Sequence, residues 1–572
     1  MPAGRTFRWL ARAFFEIALV CPIAAQNANS AAQSAERIQL LSQSQHHKAV
    51  TFEELVDSAI LQERRLTQLM RYFKPVVETY IQEETHDSKV RSSPRKDDYF
   101  LSRLDLTGEA PANREFQSAE HSKLERLTGV LKGDLKGDQP FSAERFTQAV
   151  FPDLNHFDRQ NYVFKFVRWQ VLGDVRCVVM DVSPRETSAN RGFVGRIWVE
   201  DQDYNIVRFT GAYTSRAQSK RSFHFDSWRL NTLGIMWMPA YVYTEQSDPR
   251  DPSSRGLSFK AQTRIWGYDT QQAGDHHEYA KPLTDNPAAA DPNRHEASQD
   301  LSPQLTVGGS TYTPEDDVVE RLQLAGLMAP DGDVDRVLET VVNNLQITND
   351  LDIAGVRCRV LLTTPLESFV VGRTIVVSRG LLDVLPDESS LAAILAHELA
   401  HIVLKHFPEG GYSSQLSLPF SDLEIFEKLN FHFDAAKEAE ADAKGQELFS
   451  KSPYKDKVAN VALFLQVLQS RSSQLPNLMH ARFSNDFGTS HLIQMQTISN
   501  APKRLQMDER DQIAALPLGS RIKVDPWSDR IEMLKNKLPV LETAAEKRPF
   551  EVSPFFPYLK RLEEQKTHSG QM

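Results

Sequence analysis

The stretch Ser-Ser-Leu-Ala-Ala-Ile-Leu-Ala-His-Glu-Leu-Ala-His-Ile-Val-Leu-Lys-His-Phe, residues 389–407, sets histidines and a glutamate into an apolar helical pattern. Such side chains are costly in an apolar interior unless something compensates them. His397 and His401 are four residues apart, so on a helix they stack on one face. Their imidazole nitrogens can then converge on one ion at ~2.0–2.1 Å, as zinc ligation requires. Glu398 lies one step around the helix, out of place as an equal ligand but within reach of a water held by the ion. That is the geometric logic of the pattern His-Glu-x-x-His. The helix is expected over 388–406, with Asp387 as its N-cap and Pro408, Gly410 and Gly411 ending it.

A catalytic zinc needs a third protein ligand. The metzincin pattern asks for glycine at 404 and histidine at 407, where this chain has Leu404 and Phe407. The aminopeptidase pattern asks for glutamate at 420, where it has Phe420. His406 follows His401 by five residues and is expected off the ligand face. A better source is the Ala-rich stretch 433–449, Phe-Asp-Ala-Ala-Lys-Glu-Ala-Glu-Ala-Asp-Ala-Lys-Gly-Gln-Glu-Leu-Phe. As a helix it presents Glu438 and Asp442 one turn apart. One carboxylate can bind the metal, and the other can accept a hydrogen bond from a ligand imidazole and so fix its tautomer. Ala439, Ala441, Ala443 and Gly445 leave room for close helix approach, while Glu440 is expected on a solvent-facing side.

These residues need a scaffold. At 572 residues the chain exceeds one core and suggests about three or four units at ~150 residues each. A net charge of -10 without a strongly basic run argues against nucleic acid or anionic lipid as a chain-wide partner. Cys21, Cys177 and Cys358 are too few for a disulfide framework or a Cys-rich zinc site, and the last two are expected as free buried thiols. Arg5, Arg8 and Arg12 precede an apolar run that ends near Ala24 and Ala25, the layout of a secretory signal, from which Glu16 departs. The mature protein is therefore expected to be exported, periplasmic or extracellular, and either soluble or peripherally bound to a membrane. No later run reaches the ~18 apolar residues of a membrane helix. Thr51 and Glu54 form a capping box that opens a helix, and the polar residues 86–98 read as a loop. Between 160 and 270, repeated aromatic and β-branched runs around turns such as Asp201-Gln202-Asp203 argue an antiparallel sheet. Residues 271–316, rich in Asp, Pro, Ala, Gln and Gly, read as a linker.

Leu-Leu-Asp-Val-Leu-Pro-Asp-Glu-Ser-Ser at 381–390, the His-Glu-x-x-His helix and Glu-Ala-Glu-Ala-Asp-Ala-Lys-Gly at 438–445 together resemble metallopeptidase family 48. That is the family of HtpX, the CAAX prenyl proteases and the Oma-type mitochondrial protease. The resemblance implies His397, His401 and Glu438 as zinc ligands, Glu398 as general base and Asp442 as the carboxylate behind a ligand imidazole. It implies a substrate-pairing strand with Ser368, Phe369, Val370, Val371, Thr374 and Ile375. It also offers His491 as an auxiliary electrophile, although Leu492 stands where the family carries proline. HtpX and the prenyl proteases span membranes, so this chain looks like an exported branch without such segments. The stretch 195–213 resembles the LolA/LolB half-barrel of lipoprotein-sorting proteins, which implies a lipid or acyl chain as a further partner. The expected fold is α+β and multidomain. A signal segment spans 1–25, N-terminal helices 26–155 and an antiparallel half-barrel-like domain 156–270. After the linker, a mainly helical zinc peptidase domain with a small sheet spans 317–545, and 546–572 form a tail. The expected function is zinc-dependent endopeptidase action, with one Zn2+ per chain, on polypeptides of the envelope. The alternative is a chaperone-like protein that binds lipid or polypeptide and carries a latent metal site.

Overall fold

The computed structural model describes residues 51–85, 93–108, 112–116, 143–185, 192–214, 223–232, 236–246, 258–268, 305–307, 310–408, 411–412, 416, 420–479, 522–524, 531–533 and 550–561. The expected signal segment and His491 lie outside the described residues. Among the described residues no helix is long and apolar enough to cross a membrane.

The N-terminal half is built on helix α1 (Phe52–Met70) and strands β1 (Val76–Thr85), β2 (Ser93–Asp105), β3 (Ala112–Glu115), with helix α2 (Ala143–Gln148) between β3 and the strands that follow. Those are β4 (Tyr162–Leu172), β5 (Val175–Pro184), β6 (Gly192–Glu200), β7 (Ile206–Thr214), β8 (Phe223–Thr232), β9 (Met236–Gln246) and β10 (Ser258–Trp266). All ten form one antiparallel sheet in the order β3-β2-β1-β10-β9-β8-β7-β6-β5-β4. The expected capping box opens α1: Thr51 accepts from the Glu54 amide while Glu54 accepts from the Thr51 amide.

The expectation of a helical region over 26–155 needs correction. Val76–Thr85, Ser93–Asp105 and Ala112–Glu115 are strands, and the loop expected over 86–98 gives way to β2 at Ser93. Sheet residues alternate between two cores, as the two-residue period of a strand requires. Val77, Val178 and Met180 pack beneath α1, whereas Val76, Cys177 and Val179 join the core shared with the C-terminal half. Both cysteines are free and buried, as expected. The expected tail is also bound to the sheet. In residues 550–561 the Val552 amide donates to Gln82 Oε1 at 2.7 Å and the Leu559 carbonyl accepts from the Asp174 amide at 2.8 Å. Phe555 and Phe556 meet Tyr241 and Trp228 edge-on. Residues 550–561 thus lie on part of the sheet that was expected to hold an acyl chain.

The C-terminal half follows a short hairpin, β11 (Leu305–Val307) and β12 (Ser310–Tyr312). Helices α3 (Pro314–Leu324) and α4 (Asp333–Thr348) precede β13 (Arg357–Leu361), β14 (Ser368–Val371) and β15 (Thr374–Ser378). These three form a sheet in the order β13-β15-β14, parallel between β13 and β15 and antiparallel between β15 and β14. Helices α5 (Arg379–Val384), α6 (Glu388–Val403), α7 (Ile425–Lys428), α8 (Ala435–Ser450), α9 (Val458–Ser472) and α10 (Pro476–Met479) follow, and then a hairpin of Ile522–Val524 with Ile531–Met533. Buried polar links join the halves. Glu78 of β1 accepts from the Thr364 hydroxyl at 2.6 Å, and Asp97 of β2 accepts from the Leu478 amide at 2.8 Å.

Candidate metal centre

Helix α6 starts where the sequence indicates, with Asp387 accepting from the Ser390 amide at 2.8 Å. It ends earlier than expected, at Val403. Lys405 has φ 56°, the His406 amide donates to the His401 carbonyl at 2.9 Å, and the Lys405 amide to the Ile402 carbonyl at 3.1 Å. This is a Schellman end with lysine in the left-handed position that usually belongs to glycine. Against α6 lies α8, opened by Asp434, which accepts from the Ala436 and Lys437 amides. Glu438, Ala441, Asp442 and Gly445 are buried along the face toward α6, whereas Ala443, expected at the contact, faces solvent. Gly445 makes the close approach feasible. A Cβ there would lie 2.9 Å from the His397 Cα.

The helix pair brings three donor atoms together. His397 Nε2 lies 3.2 Å from His401 Nε2 and 3.3 Å from Glu438 Oε2, and His401 Nε2 lies 3.6 Å from the same oxygen. Three ligand atoms on the corners of a tetrahedron around zinc at ~2.0–2.1 Å stand ~3.3–3.4 Å apart. Sides of 3.2–3.6 Å are close to that spacing, so the two imidazoles and the carboxylate could hold a metal ion. Among the described residues no other trio of His, Cys, Asp or Glu converges this way.

Behind His397, Asp442 Oδ1 lies 2.9 Å from Nδ1, close but poorly aligned for a hydrogen bond. Behind His401, Nδ1 faces His406 Nδ1 at 3.0 Å. His406 therefore does not point away, because the helix has ended and the chain folds back. Phe433 stacks on His401, ring centres 4.2 Å apart. Neither His406 nor Phe433 was assigned a place at the site from sequence.

Burial and close pairing shift the ionisation of the cluster. Burial alone would raise Glu438, but hydrogen bonds and charge from His397 and His401 bring it down to about 2. Burial alone would lower His397, but Asp442 and Glu438 outweigh it and hold its pKa well above the usual imidazole range. His401 falls to about 4 through burial, assisted by the charge on His397. Burial pushes Glu398 up to about 7. Its Oε1 accepts from the Ser368 hydroxyl at 2.5 Å.

The six residues of the expected substrate strand divide. Ser368, Phe369, Val370 and Val371 form β14, at the sheet edge. Thr374 and Ile375 lie in β15, which is central and paired on both sides, so they have no free edge to offer a substrate. The edge of β14 is itself covered. The Tyr412 hydroxyl donates to the Val370 carbonyl at 3.1 Å, and Phe431 packs on Phe369.

Solved structures that resemble part of the chain include these two. One is a domain from Vibrio parahaemolyticus described as an outer membrane lipoprotein-sorting protein domain, at 11% identity, TM-score 0.20, covering 36% of this chain and 89% of its own. The other is the MucA/MucB complex of Pseudomonas aeruginosa, at 10% identity, TM-score 0.11, covering 36% of this chain and 93% of its own. At these scores neither likeness bears on the site. No curated protein matches the chain significantly. Residues 329–421, which include β13 to β15 and the whole of α6, match the model of peptidase family M48. The match ends before Glu438, which the geometry supplies independently. Over this segment the chain is similar to peptidase family M48.

Proposed function

We propose that the protein is a zinc-dependent endopeptidase acting on exported or envelope polypeptides. The observation that carries this reading is the triangle of His397, His401 and Glu438 donor atoms with sides of 3.2–3.6 Å, with Glu398 next to His397 on α6. His397, His401 and Glu438 would hold the ion and leave a fourth direction open. Zinc, when bound, supplies Lewis acidity: it acidifies water and polarises a carbonyl. Glu398 is the base that takes the proton from the water adding to the scissile carbonyl carbon. It delivers that proton to the amine as the C–N bond breaks. The Ser368 hydroxyl steadies Glu398 for this role. A substrate strand that adds to the β14 edge would displace the Tyr412 hydroxyl from the Val370 carbonyl. The exported setting rests on the N-terminal segment of the sequence, and His491 remains a proposed electrophile at the carbonyl.

Digestion of casein or of an unfolded outer-membrane protein, with and without a zinc chelator, tests this reading. Cleavage should stop on chelation and return with zinc. Glu398→Gln should retain zinc and lose ~10²–10⁴-fold in turnover. Undiminished turnover in that variant at full zinc would remove Glu398 from the mechanism. If the native protein binds zinc stoichiometrically but cleaves neither substrate, a binding protein with a latent site becomes the better account.

A further inference from the structure

The ligating nitrogen of His401 is accounted for, but the reaction gives no role to what lies behind it. The Schellman end of α6 folds the chain at Lys405 and brings the His406 ring, whose side chain is 6% exposed, against His401. His406 Nδ1 is 3.0 Å from His401 Nδ1, and His406 Nε2 is 3.4 Å from Glu440 Oε2 on α8. The proton positions follow from the chemistry of imidazole. A neutral ring has one N–H and one lone pair. His401 Nε2 is the corner of the donor triangle, so its lone pair points inward and its proton sits on Nδ1. His406 Nδ1 must then accept, which leaves the His406 proton on Nε2, facing the Glu440 carboxylate.

We propose that His406, backed by Glu440, is a positioning residue that fixes the tautomer and ring orientation of His401 for metal binding. The proposal rests on reading the centre as a zinc site. It makes the two ligand imidazoles equivalent in logic and different in construction. His397 has a buried carboxylate directly behind it, Asp442. His401 has an imidazole interposed and a carboxylate that is 67% exposed. The outer partner of a ligand histidine typically contributes 10–100-fold in metal affinity. His406 should therefore matter much more than Glu440, whose charge water already screens.

The test uses the full chain and measures zinc affinity by chelator competition. His406→Phe keeps a ring but removes the acceptor, and should weaken zinc binding about 10–100-fold. His406→Gln keeps an acceptor and should recover most of the loss. Glu440→Gln should lie within a few-fold of native. Cobalt-substituted protein gives an independent readout. Native protein should show two paramagnetically shifted, slowly exchanging imidazole N–H signals, and the phenylalanine variant one. If that variant does not fold, His406→Leu takes its place. Native affinity with both signals in the acceptor-free variant would overturn the proposal. So would an equal loss in the Phe and Gln variants, which is how a merely packed ring behaves. If native protein takes up no zinc, or His401→Ala binds it as native does, the zinc reading fails first.

Discussion

Glu63 on α1 and Glu438 on α8 are both almost fully buried, yet one meets a guanidinium and the other two imidazoles. Glu63 receives two bonds from the Arg229 guanidinium, at 2.6 and 2.8 Å. Glu200, at the end of β6, is treated similarly: it accepts from the Gln202 and Asn205 amides at 2.8 and 2.9 Å and pairs with Arg561. These acids are neutralised on the spot by the chain itself. Around Glu438 the buried charged groups are three carboxylates, with Glu398 and Asp442, and two imidazoles. The imidazoles hold Glu438 low, and Asp442 and Glu438 hold His397 high. A buried acid paired with a guanidinium, which stays charged, forms a fixed ion pair, whereas one paired with two imidazoles, whose lone pairs can turn to a metal, marks a candidate site.

The largest effect follows from removing the acid that meets the imidazoles. Glu438→Ala should reduce zinc, read by atomic absorption, from about one per chain to none, as expected when one of three protein ligands is lost. Peptidase activity should disappear with it, while far-UV circular dichroism stays native. Unchanged zinc stoichiometry would mean that the third ligand lies elsewhere. Removing the guanidinium partner of Glu63 should do the opposite. Arg229→Met leaves Glu63 buried without its guanidinium and should cost about 3–5 kcal/mol of stability in denaturant melts. The surviving folded fraction should bind zinc as native does. If both variants lost zinc equally, the distinction between the two kinds of buried acid would collapse.

The two regions also differ in how much the sequence discloses. His397, Glu398 and His401 lie within one helical turn and Glu438 and Asp442 within another, so a local period suffices to place each pair on one face. Their convergence across two helices is tertiary, and the small residues of α8 hinted at it. His406 stayed hidden because a lysine in the left-handed position gives no glycine signal, and a helix drawn on to 406 turns that ring away. The strands of the N-terminal half were obscured for another reason. β1 and β2 carry Glu78, Gln82, Glu83, Lys96 and Asp97, which mask the apolar alternation. Glu78, Gln82 and Asp97 are buried against partners hundreds of residues away, such as Thr364, Val552 and Leu478. No window of sequence contains both members of such a pair. The edge cover on β14 was equally nonlocal, since Tyr412 reaches back to Val370.

The smallest effect sharpens the comparison through packing alone. Gly445 has no charge and touches no ligand atom, but a Cβ there would meet His397 Cα at 2.9 Å, His397 N at 3.1 Å and Ala396 C at 3.2 Å. These are backbone atoms of α6, so no rotamer change relieves the contact and the helices must separate. Gly445→Ala should cost about 1–3 kcal/mol as overpacking. It should also weaken zinc binding, because separation draws Glu438 and Asp442 away from His397 and His401. Gly195 in β6 is the matching control, since its Cβ would meet the Gly211 Cα at 2.7 Å across the strand pair. Gly195→Ala should lower stability and leave zinc affinity unchanged in the folded protein. Helix separation at α6 and α8 is then the variable that couples packing to metal affinity. A Gly445→Ala protein with lowered stability but native zinc affinity would show that the donor triangle tolerates that separation.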